Sequence, residues 1–212
     1  TLRDWFVGLE SPRVPWLRAE TRWQVIMAER LLDRVPSDLA RRAWPQLAAF
    51  STPRKVIDSL DDLEQVAGFV GRRKTVPEIG EAASYFLTHP KSLRSVDGIA
   101  NAPNVDATTA AIAGWVVPGR ESCPVTVGSS ILRVTARVTG DNVDQRNRST
   151  DGRIAVARMI GFGEGTREAF LGLVELGRSL CRPQSPVCHE CPLQKVCVAG
   201  SAHLKRRPVL FS

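Results

Sequence analysis

Residues 181–197 read Cys181-Arg-Pro-Gln-Ser-Pro-Val-Cys188-His-Glu-Cys191-Pro-Leu-Gln-Lys-Val-Cys197. Four thiols in one short loop can enclose a metal centre, because thiolate is the soft ligand that iron–sulfur clusters and zinc select. Structural zinc sites usually carry two close ligand pairs, and only Cys188/Cys191 has that spacing here. The wider gaps leave slack to wrap something larger than one ion, so the spacing favours a 4Fe–4S cluster over zinc. Disulfides fit poorly, since cysteines this close in a chain of 212 residues add little loop-closure stabilisation. Cys123 stands far away and reads as a small buried hydrophobe. His189 reads as a hydrogen-bond partner of the sulfur shell rather than a ligand.

Composition sets the frame for that loop. The hydrophobic content, 43%, is that of a globular chain with a real core. Net charge is +7, and only five of the 29 basic residues are lysine. Arginine suits bidentate phosphate contacts, so the surplus points to a polyanion such as DNA or RNA. No apolar run approaches the roughly 20 residues of a membrane span. No signal-peptide pattern opens the chain as given, which begins at Thr1. Reduced cysteines then lead us to expect a cytoplasmic, nucleoid-associated protein.

Helical periodicity prevails from end to end. The segment 19–35 carries an apolar stripe of Trp23, Ile26, Met27 and Leu31. Ser37 opens a second segment through Leu47, and Thr52-Pro53 a third. Further helices are expected over 60–69, 76–87, 108–117, 129–138, 151–160 and 166–180, with breaks at His89-Pro90 and Pro118-Gly119. The expected fold class is all-α, with short helices and short loops.

These residues resemble a known family. Cys-x6-Cys-x2-Cys-Pro-Leu-x4-Cys is similar to the loop that closes the helix-hairpin-helix DNA glycosylases of the endonuclease III and MutY type. The segment 172–180 resembles the helix that delivers the first cysteine there. Trp23-Gln-Val-Ile-Met-Ala-Glu29-Arg-Leu-Leu32 resembles the MutY segment with the catalytic glutamate, and Ala67-Gly-Phe-Val-Gly-Arg72 the glycine-aromatic turn beyond it. The resemblance runs from about residue 16 to residue 198 and implies a 4Fe–4S cluster on Cys181, Cys188, Cys191 and Cys197. It further implies two helical lobes with a DNA-binding cleft between them. Residues 21–118 would form the hairpin-bearing bundle. Residues 1–20 and 119–200 would form the cluster domain, and 201–212 a basic tail. A monomer acting on double-stranded DNA, with no membrane, is expected.

The resemblance also fixes where the chain departs. Family members grip DNA with Leu-Pro-Gly-Val-Gly-x-x-Thr-Ala. The nearest match is Ala102-Pro-Asn-Val-Asp-Ala-Thr-Thr-Ala110, which lacks both glycines, and Val96-Asp-Gly-Ile-Ala100 is an alternative alignment. The family's essential aspartate falls at Gly128, within Val127-Gly-Ser-Ser-Ile-Leu-Arg-Val134. Its lysine or tyrosine falls at Ala107 or Thr108, and its duplex-probing Gln-Gln-Thr at Asp33-Arg34-Val35. Glu29 is the candidate catalytic acid, because its helical neighbours Val25, Ile26 and Leu32 desolvate it and Asp33 adds like charge. Pairing with Arg22, Arg30 or Arg34 is the plainer alternative. DNA contacts are expected at Asn104, Asp106 and Thr108 of the hairpin, at Arg34, at Ser129 and Ser130 of a helix start, and at Arg182. Arg72, Arg73 and Lys74 read as a solvated basic face. Three functions are therefore open: a base-excising glycosylase with altered chemistry, an inactive DNA binder of the same fold, or a cluster-bearing protein-interaction module.

Overall fold

A computed structural model of the chain describes residues 1–119, 123–144 and 149–205, the last four of them by backbone alone. Among the described residues every regular element is a helix, as the periodicity requires. In chain order these are α1 (Leu2–Val7), α2 (Arg22–Leu32), α3 (Ser37–Ala48), α4 (Pro53–Asp58), α5 (Leu60–Phe69) and α6 (Val76–Thr88). There follow α7 (Val96–Ala100), α8 (Ala107–Val116), α9 (Ser129–Thr139), α10 (Asp151–Ile160), α11 (Thr166–Ser179) and α12 (Val198–Lys205).

Local chemistry sets the helix starts. Thr21 and Gln24 form a capping box, each side chain accepting the other's backbone N–H, so α2 begins at Arg22 rather than at residue 19. Thr52 caps α4 and Pro53 fills its first turn, where the missing N–H costs nothing. Ser37 is the first residue of α3 rather than its cap, a place held by Pro36. α1, α7 and α12 were not expected from the sequence, since six, five and eight residues are too few to display a helical period.

The chain folds as two units. One comprises Ser11–Thr126; the other comprises Thr1–Glu10 with the residues from Val127 on. The expected boundaries at 20/21 and 118/119 therefore shift. Residues 11–20 go with α2 because Trp16 is buried there, donating its indole N–H to Glu29. Residues 201–205 of the expected basic tail are helical, forming the end of α12, and from Arg206 on the tail lies outside the described residues.

In the 11–126 unit the core is built around α2. Val25, Ile26, Met27, Ala28 and Leu31 are buried, and Trp23 meets Phe86 edge to face at 5.9 Å. In the other unit α11 is the central helix, with Phe170, Leu171, Leu173, Val174 and Leu176 buried. Its glycines admit neighbouring backbones. A Cβ at Gly172 would meet the Leu2 carbonyl oxygen at 3.0 Å, and one at Gly177 the Ser130 carbonyl oxygen at 2.8 Å. α1 and α9 thus pack directly onto α11.

Candidate functional site

Glu29 lies on α2 with only 5% of its surface exposed. Trp16 Nε1 donates to its Oε1 at 2.5 Å. The indole is a donor only, so Oε1 is an acceptor, and a proton on this carboxyl sits on Oε2. Of the expected arginine partners, Arg30 pairs instead with Glu78, and Arg34 Nε lies 3.5 Å from Asp33. Arg22 reaches the carbonyls of Val117 and Leu93 at 2.8 and 3.3 Å. Asp33, expected to press like charge on Glu29, sits at the C-cap of α2 with its side chain 57% exposed.

The hairpin lies between α7 and α8. Val96–Ala100 is helical, which rules out the alternative alignment. Gly98 is there because a Cβ would come within 2.5 Å of the Ser92 carbonyl oxygen. The turn is therefore 101–106. Asn104 takes the left-handed conformation at φ 60° in place of the family's glycine, and its Nδ2 donates to Glu81 Oε2 at 2.8 Å. Asp106 is the N-cap of α8 and accepts the Thr109 N–H at 2.8 Å. A carboxylate of the chain itself thus occupies the helix N-terminus where a phosphate would bind. Ala107 is exposed, and Thr108 Oγ1 accepts from Thr126 Oγ1 at 3.2 Å.

Arg73 and Lys74 are exposed and Arg72 is half-buried, as a solvated basic face requires, and two of the three also brace turns. Arg72 donates to the Asp33 carbonyl, and the Arg73 guanidinium fills the space a Cβ on Gly68 would need.

In the other unit Ser129 and Ser130 begin α9, whose N-cap is Gly128 at φ −55°. No side-chain hydrogen bond caps this helix, so the hydroxyls are not structural caps. Further along α9, Arg133 donates to the carbonyls of Cys181 and Gly177 at 2.9 and 2.7 Å. One turn later Arg137 donates to Cys181 Sγ at 3.3 Å and to the carbonyls of Arg182 and Pro183, both at 2.7 Å. Cys197 Sγ bonds the Arg137 carbonyl at 3.2 Å and receives the Gly200 N–H at 3.3 Å.

All four cysteines of the loop are half-buried and line one cavity of about 220 Å³ with Arg137 and Leu180. Burial pushes the Cys191 thiol up, and negative charge on Cys181, Cys197 and Cys188 pushes the same way against a backbone hydrogen bond at Leu193. Burial likewise lowers the Arg133 pKa, opposed by the Cys181 charge. Among the described residues no three His, Cys, Asp or Glu side chains converge as they would on one ion. The thiols surround a space instead. Arg182 is exposed and spends its Nε on the Ser179 carbonyl at 3.0 Å. His189 faces Glu190 at 3.5 Å instead of the sulfurs, and Cys123 is half-buried beside Gly114.

Glu29, Arg34, Asn104, Asp106 and Thr108 thus belong to one unit, and Ser129, Ser130, Arg182 and the loop cysteines to the other. Sequence reading missed Trp16, Arg133 and Arg137. The arginines had a signal, an i, i+4 pair on the helix that follows Gly128; Trp16 had none. No helix of the described residues is long and apolar enough to cross a membrane.

No family model matches the chain. It is 25% identical over 187 residues to an adenine DNA glycosylase of Mycobacterium tuberculosis, covering 85% of this chain and 60% of that protein. It is 24% identical over 211 residues to a thymine-DNA glycosylase of Aeropyrum pernix, covering 93% and 91%. Among solved structures, a thermostable thymine-DNA glycosylase superposes with a TM-score of 0.70 at 16% identity, covering 95% of this chain and 94% of that one. A non-covalent endonuclease III–DNA complex gives 0.69 at 19% identity, covering 97% and 94%. At those identities the structural likeness establishes the fold.

Proposed function

We propose that the chain is a member of the helix-hairpin-helix DNA glycosylase superfamily, which it resembles in fold and in sequence, and that it binds duplex DNA and inspects or excises a damaged, modified or mismatched base. The carrying observation is Glu29, a carboxyl kept buried with one oxygen committed to Trp16. Breaking an N-glycosidic bond requires a proton on the departing base and negative charge near the oxocarbenium-like sugar. The base must also leave the stack. Glu29 Oε2 is the atom that would hand over the proton. Gly128 offers no carboxylate for the sugar, and Ala107 and Thr108 offer no amine for a Schiff base, so strand cleavage by a lyase route is not expected.

Cys181, Cys188, Cys191 and Cys197 would hold a 4Fe–4S cluster. In support, four soft donors line one cavity, with N–H groups of Arg137 and Gly200 aimed at two of the sulfurs. Four cysteine ligands leave no open iron position, so the group would cross-link the loop rather than act on substrate. The test is a panel of mismatched and modified duplexes incubated with the protein, then treated with alkali, with Glu29→Gln as control. Strand breaks with the parent and none with the variant support excision. A second reading, binding without chemistry, is favoured by Gly128. Tight, salt-dependent binding with no breaks on any duplex would establish it.

A further inference from the structure

Phe162 is 86% exposed, the most exposed large apolar side chain among the described residues. It stands in the loop Gly161-Phe-Gly-Glu-Gly165 between α10 and α11. The loop is built to hold it out. Gly161 and Gly163 flank it at φ 76° and 86°, a backbone region that residues with a Cβ rarely adopt. A Cβ on either would meet nothing within 4 Å, so torsion rather than crowding calls for glycine there. The Thr166 hydroxyl donates to the Gly161 and Gly163 carbonyls at 3.3 and 2.9 Å, and the Thr166 N–H donates to the Gly163 carbonyl at 3.3 Å. Arg3 closes the other side, since a Cβ on Gly165 would come within 2.6 Å of its Cδ. The backbone is thus tied by its own hydrogen bonds, while the ring it carries packs against almost nothing.

The surface beside the ring is basic. Arg158 lies four residues before Phe162 on the exposed side of α10, and Ile154, one turn further back, is 46% exposed. Arg153 and Arg158 are both exposed, and neither pairs with an acid among the described residues. They are separated by about 7.5 Å along the helix axis, the rise of about two phosphates of one DNA strand. The acids nearby are Glu164, which lies 4.0 Å from Arg3, and Asp151, at the opposite end of α10. Unpaired arginines around an upright aromatic ring suit a polyanion that carries flat apolar faces. A paired duplex keeps those faces inside its stack; an unpaired strand presents them.

We propose that this face of the cysteine-bearing unit is a second nucleic-acid surface, on which Phe162 stacks an unpaired base and Arg153 and Arg158 meet the flanking phosphates. It extends the DNA-binding reading above and rests on it. Every base has a π-face, so the surface selects single-stranded over paired DNA rather than one base over another.

The test uses the full chain and two labelled DNAs. One is a blunt duplex; the other is the same duplex with an unpaired extension of about 10 thymidines, within the usual single-strand site size. Fluorescence anisotropy at one salt concentration gives both affinities. The parent binds the extended duplex about 5- to 150-fold more tightly than the blunt one, the range one stacked base supplies. Phe162→Ala loses that gain and binds the blunt duplex like the parent. It also melts with the parent, because the ring is not packed. Phe162→Trp keeps the gain. Arg153→Gln with Arg158→Gln flattens the salt dependence on the extended duplex only. An extension that adds nothing in the parent, or a gain that survives in Phe162→Ala, overturns the assignment, leaves duplex binding intact and turns the exposed ring toward a protein partner. Failure of the parent to bind either DNA overturns the DNA-binding reading and this inference with it.

Discussion

Replacing Trp16 by phenylalanine removes one N–H and keeps most of the apolar ring. In the parent that N–H lies 2.5 Å from Glu29 Oε1, and the two residues are only 3% and 5% exposed. At a pH where Glu29 is ionised, a hydrogen bond to it contributes about 1.5–3 kcal/mol, and leaving the acceptor buried with one donor fewer costs an amount of that order. For a chain of this size each kcal/mol moves the melting temperature by about 2–4 °C. Trp16→Phe should therefore melt roughly 3–12 °C below the parent. The assay is a double-mutant cycle with Glu29→Gln, followed by thermal unfolding. A neutral amide loses much less than a carboxylate when the indole N–H is removed, so Trp16→Phe should cost clearly less in the Glu29→Gln background. The expected coupling is about 1–3 kcal/mol. A coupling below about 0.5 kcal/mol would refute the claim that the indole holds this carboxyl.

Three further outcomes follow from named contacts. Asp106→Gly should cost only a few tenths of a kcal/mol, because glycine is a tolerable N-cap, and should strengthen duplex binding by freeing the α8 N-terminus for a phosphate; fluorescence anisotropy reads the affinity. Ser129→Ala with Ser130→Ala should change stability by less than about 0.5 kcal/mol, since neither hydroxyl caps α9, yet weaken DNA binding. Arg137→Leu removes the N–H on Cys181 Sγ and two bonds to the loop backbone, so the purified protein should hold less iron and acid-labile sulfide and lose what it holds faster to a chelator.

The sequence by itself determined the longer helices and the loop. The 3.6-residue recurrence of Trp23, Ile26 and Leu31, and the capping signals at Thr21 and Thr52, are local properties that survive without tertiary context. The cysteine spacing likewise announced a four-thiol enclosure, because a ligand set within one loop is written in consecutive residues. That glycine, with no carboxylate, stands at position 128 ahead of Ser129 could also be read directly.

Only the tertiary structure decided what each polar side chain does. Trp16 precedes Glu29 by 13 residues, and no periodicity joins a short 3-10 turn to the helix after it. Whether Asp106 repels a phosphate or caps its own helix depends on backbone torsions around the turn, and these chose the cap. The Asp33 carbonyl accepts from Arg72, 39 residues further along, beside an Arg34 at φ 60°. Secondary structure follows from neighbours along the chain, whereas a hydrogen bond or a forced φ is fixed by groups that folding alone brings together.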